Sequence, residues 1–169
     1  QIEKIIITTQ ESGHRIINKV GELANPADRD HCIQYMVAVP LIFGRLNADD
    51  YEDSVASDER IDALRAKMQV EVDDRYTKEY LESDKRSIAN AVQVFFKDGT
   101  STKKVEVEYP IGHKRRRSEG IPLLIAKFKA NLAARLSPKQ CEKIMQICED
   151  QKSLEQMNFN EFSDLFWLG

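Results

Sequence analysis

The sequence predicts an α+β fold: a small antiparallel-type sheet of about four strands packed with helices, followed by an all-helical C-terminal tail. Three observations carry this. The chain opens on a β-branched run, Ile2-Glu3-Lys4-Ile5-Ile6-Ile7-Thr8-Thr9. Residues 91–96 and 104–109 alternate apolar and polar around an Asp98-Gly99 turn, which is a hairpin pattern. From Gly120 onward only helical periodicity remains.

In order along the chain, residues 11–19 predict a short helix with Ile16 and Ile17 facing inward. Asn25-Pro26, a capping residue followed by a first-turn proline, then starts a central helix that runs to Gly44. From Cys32 to Phe43 it is apolar nearly all round, so it belongs in the middle of the fold. Pro40 removes one of its backbone bonds, which predicts a kink or break near Val37.

Residues 47–53 read as an acidic connector with one helical turn. Ser57 reads as the cap of a helix presenting Ile61, Leu64 and Met68 on one face. Val70 to Val72 predicts a short strand, and a polar, acidic loop through Asp84 follows it. In the tail, Leu124, Phe128 and Leu132 form one stripe. Ser137-Pro138-Lys139-Gln140 opens a second helix with a capping-box pattern, and Cys141, Ile144, Met145 and Cys148 make its stripe. Asn158 opens a last helix carrying Phe162, Leu165, Phe166 and Trp167. The division expected is 1–115 as the α+β domain and 116–169 as the helical tail.

Charge excludes some classes of partner. With 25 basic and 28 acidic residues the net charge is −3, so no global field favours nucleic acid or an anionic membrane. The three cysteines are an odd number in apolar helical stretches, which predicts reduced thiols rather than a disulfide framework. No Cys-x-x-Cys pair recommends zinc or an iron–sulfur cluster. There is no secretory leader pattern and no apolar run of membrane-spanning length. The chain starts at Gln1, directly in a strand pattern, and is expected to be a fragment.

Two stretches could carry chemistry. Asp28, His31, Gln34 and Tyr35 fall at spacings of three and four, and so on one face of the predicted central helix. A polar stripe at one end of a buried helix reads either as a site or as polar groups satisfied by neighbours. The run Gly112-His113-Lys114-Arg115-Arg116-Arg117 reads as a solvated loop, a phosphate-contacting patch, or a binder of a small polyanion. Its shortness and lack of aromatics disfavour nucleic acid, and composition does not choose between the other two.

The segment Asn25-Pro26-Ala27-Asp28-Arg29-Asp30-His31-Cys32-Ile33-Gln34-Tyr35-Met36-Val37-Ala38 resembles the MmgE/PrpD family. Val107-Glu108-Tyr109-Pro110-Ile111-Gly112-His113, continuing through Arg117 to Lys127-Phe128, looks like the branch that dehydrates 2-methylcitrate. The resemblance covers the whole chain. It implies a metal-free, cofactor-free hydro-lyase of propionate breakdown, cytoplasmic and homodimeric. Its site would take a small tricarboxylate between this α+β domain and an N-terminal helical domain, on which the tail packs. It implies Tyr35 as proton donor or substrate hydrogen-bonder, with His31 orienting it or the substrate. Gln34, Arg29, His113, Arg115 and Arg116 become candidate substrate contacts. Other family activities on polycarboxylates, decarboxylase or epimerase, and a non-catalytic binding module are the alternatives. No metal ligands and no membrane or nucleic-acid partner are implied.

Overall fold

A computed structural model describes residues 1–167 of the chain, which divide into two compact units, Gln1–Pro110 and Ile111 onward. The first unit is built on strand β1 (Ile2–Thr9). Its alternation points Ile5 and Ile7 into the core, where they are fully buried. The chain then forms α1 (Glu11–Ile17), α2 (Pro26–Arg29), α3 (Ile33–Phe43), α4 (Asp53–Ala56) and α5 (Glu59–Arg65), and only then β2 (Met68–Val72). Helix α6 (Asp74–Leu81), strand β3 (Asn90–Phe96) and strand β4 (Val105–Val107) complete the unit.

The sheet order is β2-β1-β3-β4. β1 pairs antiparallel with β3, Ile7 facing Val92, but parallel with β2, Ile5 facing Met68. The sheet is therefore mixed, not of antiparallel type throughout. The five helices between β1 and β2 form a crossover that returns the chain to the same end of the sheet, which a hairpin cannot do.

Helix α3 is the bridge between two core clusters. Ile33, with Met36 and Val37, packs against Ile5, Ile7 and Val94 of the sheet. Tyr35, Ala38 and Val39 pack with Ile61 of α5. The helix runs unbroken through Val37 and Pro40 to Gly44, whose φ of 70° makes it a left-handed terminator open to glycine at little cost. The break falls earlier instead. Cys32 is extended, so α2 and α3 are separate helices and His31 lies in the turn between them.

Other expectations are corrected locally. Ile16 is exposed and only Ile17 reaches the core. Asp58, not Ser57, caps α5, and that helix ends at Arg65, leaving Met68 in β2. The supposed acidic loop contains α6, whose first N–H groups are accepted by the Asp73 carboxylate. Tyr76 of α6 is fully buried and donates to Glu106 of β4 at 2.6 Å, while Arg75 meets the other oxygen at 2.6 Å.

In the second unit, α7 (Arg117–Ala133) begins earlier than Gly120, directly after a 3-10 turn over Lys114–Arg116. Gly120 is needed there, because a Cβ would lie 2.3 Å from the Ile111 carbonyl oxygen. Helices α8 (Pro138–Glu149), α9 (Gln151–Gln156) and α10 (Phe159–Asp164) follow; α9 was not anticipated. The Ser137–Gln140 capping box forms as expected. Leu132, Cys141, Ile144 and Leu165 make the unit's core. Cys148, expected in that core, is exposed, as is Leu124.

The Tyr76–Glu106 contact gives a prediction. The Tyr76 hydroxyl, then Arg75, holds the Glu106 carboxyl below the usual carboxylate range. A carboxylate depressed in the folded state contributes stability that is complete above its unfolded pKa and drains away as pH falls through its folded one. Glu106→Gln should therefore lower stability at neutral pH by about 1–2 kcal/mol and flatten its loss in acid. Urea unfolding at several pH values checks both.

Candidate active site

The geometry of the site starts from Tyr35. Helix α3 points its ring between the α2 region and α5, where it is 2% exposed. The hydroxyl donates to the backbone carbonyl of Asp50 at 2.7 Å, and the ring stacks on Tyr51 with centroids 5.9 Å apart. Burial pushes the Tyr35 phenol up; the nearby Arg29 charge opposes the shift and the Asp50 carboxylate adds to it. In the structure the phenol's proton is held by the Asp50 carbonyl.

Arg29 is the second element of the site. It sits at the end of α2, which is set by Asn25 accepting the Asp28 N–H. Asp28 in turn accepts from Lys19, Ala24 and the Asn25 amide, and the Lys19 ammonium first of all holds its carboxyl low. Arg29 itself is buried, at 6% exposure. Its Nη1 donates to the Tyr51 carbonyl at 2.7 Å and its Nη2 pairs with Asp53 at 2.7 Å. Asp53 is 86% exposed, so one arm of a buried guanidinium holds a carboxylate at the protein surface. Tyr35, Arg29, Asp53 and Ser57 line a cleft of about 260 Å³.

Gln34 faces a neighbouring cleft of about 480 Å³ with Lys19, Gly21 and Arg65. Its amide donates to Asn18 at 2.6 Å and its oxygen accepts the Cys32 thiol at 3.4 Å. Glu22 and Asp62 line both clefts and form the ridge between them.

The structure thus brings together Tyr35 and Arg29, with Gln34 on the far side of the ridge. His31 does not join them on one helical face. It projects from the turn between α2 and α3, 60% exposed, with its Nδ1 against the Asp30 carboxylate. His113, Arg115 and Arg116 belong to the second unit. There His113 Nδ1 accepts the Arg115 N–H at 3.2 Å and caps the 3-10 turn, while Arg116 pairs with Glu119 at 2.8 Å. Asp50, Tyr51 and Asp53 were passed over as an acidic connector. The signal available was Asn47-x-x-Asp50, a spacing at which a side chain can reach back to the start of a turn. Among the described residues no group of three or more His, Cys, Asp or Glu is placed to hold a metal ion, and no helix is long and apolar enough to cross a membrane.

The Tyr35 phenol and the Arg29 guanidinium, both buried, thus share one cleft. The chain belongs to the MmgE/PrpD C-terminal domain family, whose sequence profile matches residues 1–151. It is 56% identical over 165 residues to the 2-methylcitrate dehydratase of Escherichia coli K12, covering 98% of this chain and 34% of that protein. The 2-methylcitrate dehydratase of Cupriavidus necator is 57% identical over the same share of each. The mitochondrial 2-methylcitrate dehydratase of Yarrowia lipolytica is 52% identical, over 98% of this chain and 31% of that protein. The chain therefore spans about a third of the length of these curated relatives.

Arg29→Ala should strand the Tyr51 carbonyl and empty a buried volume. The expected loss is about 2–3 kcal/mol of unfolding free energy, read as a lower urea midpoint with an unchanged slope.

Proposed function

We propose that this chain forms part of a hydro-lyase that dehydrates 2-methylcitrate to 2-methyl-aconitate, a step of propionate breakdown. The observation that carries the reading is the buried Tyr35 phenol lining one cleft with the Arg29 guanidinium. The matched relatives, 2-methylcitrate dehydratases, supply the substrate.

In this reading the Asp53 carboxylate marks where a substrate carboxylate binds, because it already occupies the outward arm of Arg29. The proton on carbon goes to a base outside the residues assigned here. Its bonding electrons form the new double bond, and the hydroxide leaves with the electrons of the carbon–oxygen bond. Tyr35 gives that hydroxide its proton, forming water; the base then releases the proton it took from carbon and the tyrosinate takes one up through solvent, so both groups are restored for the next turnover. Gln34 would contact the substrate from the neighbouring cleft. No cofactor or metal takes part in the proposed reaction.

The rest of the site is proposed to come from a helical domain in the two thirds of the relatives' length that this chain does not match, within a cytoplasmic homodimer. In the second unit Ile121, Leu123, Leu124 and Ile125 are each 43–57% exposed, a surface that such a domain would cover.

The 169 residues alone are then expected to lack dehydratase activity and to bind an apolar dye strongly; turnover by them would refute this division. For the full natural chain, alkene absorbance should report dehydration of 2-methylcitrate with a chelator present. Tyr35→Phe should reduce kcat by about a hundredfold or more. Silence from the folded full chain with 2-methylcitrate would refute the substrate, and a Tyr35→Phe rate near wild type would refute the proton donor.

A further inference from the structure

We propose that Asp50 is a positioning residue for this site: its buried carboxylate fixes the turn that places the Tyr35 hydroxyl and the Arg29 guanidinium. The proposal rests on the reading of Tyr35 given above and adds a residue to it.

The turn over Ala48–Tyr51 is exposed at Asn47, Ala48 and Asp49, yet Asp50 is 1% exposed. A carboxylate is costly to bury, so one enclosed in a surface turn is held there by its partners. Oδ2 accepts the Asn47 N–H at 2.7 Å and so closes the turn on itself. Oδ1 makes no hydrogen bond and faces the Arg45 guanidinium, with Nη2 3.0 Å away. The carboxylate therefore ties the two ends of segment 45–50 together from inside.

That segment delivers the contacts on which the site depends. The carbonyl of Asp50 accepts the Tyr35 hydroxyl, and the next carbonyl, of Tyr51, accepts Arg29. The Tyr51 ring stacks on Tyr35, and Asp53 takes the other arm of Arg29. A turn displaced by an ångström would move the phenol and the guanidinium together, and catalysis is sensitive to displacements of that size. A residue that only filled space would need neither a charge nor Arg45.

The test uses Asp50→Asn, which keeps the shape and removes the charge, and Arg45→Gln, which removes the half-exposed partner together with its stacking over Phe43. Both are made in the full natural chain. The charged and titratable groups facing Tyr35 are Arg29, Asp50, Tyr51 and Asp62. Asp50→Asn should lower kcat on 2-methylcitrate about tenfold or more, with KM changed much less. The Tyr35 phenol midpoint, taken from tyrosinate absorbance with Tyr35→Phe as blank, should fall to lower pH as a negative charge and a fixed acceptor are lost. Arg45→Gln should lose kcat in the same way, to a smaller degree.

A folded Asp50→Asn with wild-type kcat and an unmoved phenol midpoint would overturn the proposal. If Asp50→Asn does not fold, an Arg45→Gln variant with the full rate would overturn it equally. If the full chain shows no lyase turnover, the functional reading falls while the phenol midpoint of Arg45→Gln still decides: a fall, opposite in sign to what losing a positive charge alone would give, supports the positioning role, and its absence overturns it.

Discussion

Everything in the first unit depends on burying α3 on two sides at once. Ile33, Met36 and Val37 recur at spacings of three and four and give one stripe to the sheet. Tyr35, Ala38 and Val39, offset on the helix, give another to α5. A helix enclosed in this way cannot rotate without expelling one stripe from its core. Its orientation is therefore fixed, and with it the direction of the Tyr35 ring. This also explains why Pro40 is accommodated, since the missing N–H falls in the last turn of a helix held by packing rather than by its own backbone.

Around that rigid element the site is assembled from short pieces with little stability of their own. Helix α2 has four residues and α4 four, and the turn between α3 and α4 is a single 3-10 loop. Such segments persist only when tertiary bonds hold them. Here those bonds run to Arg29 and Tyr35 from consecutive backbone carbonyls, at Asp50 and Tyr51. The side chains proposed to act on a substrate are thus also the ones that hold the local fold. Substitutions at them will mix stability with function, which makes measurements that separate the two informative.

The second unit has a different physical character. Its core is a single cluster formed by α7, α8 and α10, and the first half of α7 leaves several large apolar side chains in solvent. Apolar groups grouped in this way are unusual on a free surface, and the helical domain proposed above would cover them.

The sequence by itself determined the element types and their approximate order. β-branched alternation, capping residues and turn glycines act within a few residues of one another, so β1, the β3–β4 hairpin and the α8 cap were legible without any tertiary information. Of the residues singled out by the motif, Tyr35 and Arg29 share one cleft and Gln34 lines the next. What only the tertiary structure decided was non-local. The parallel pairing of β1 with β2 arises across a crossover of more than fifty residues, and no local pattern records strand direction. The separation of α2 from α3, which removes His31 from the Tyr35 face, follows from the bonds that hold Arg29 to Tyr51 and Asp53. Asp50 differs, because its partners, the Asn47 N–H and Arg45, are local; what the tertiary structure adds is the packing of the turn against Tyr35, which encloses the carboxylate.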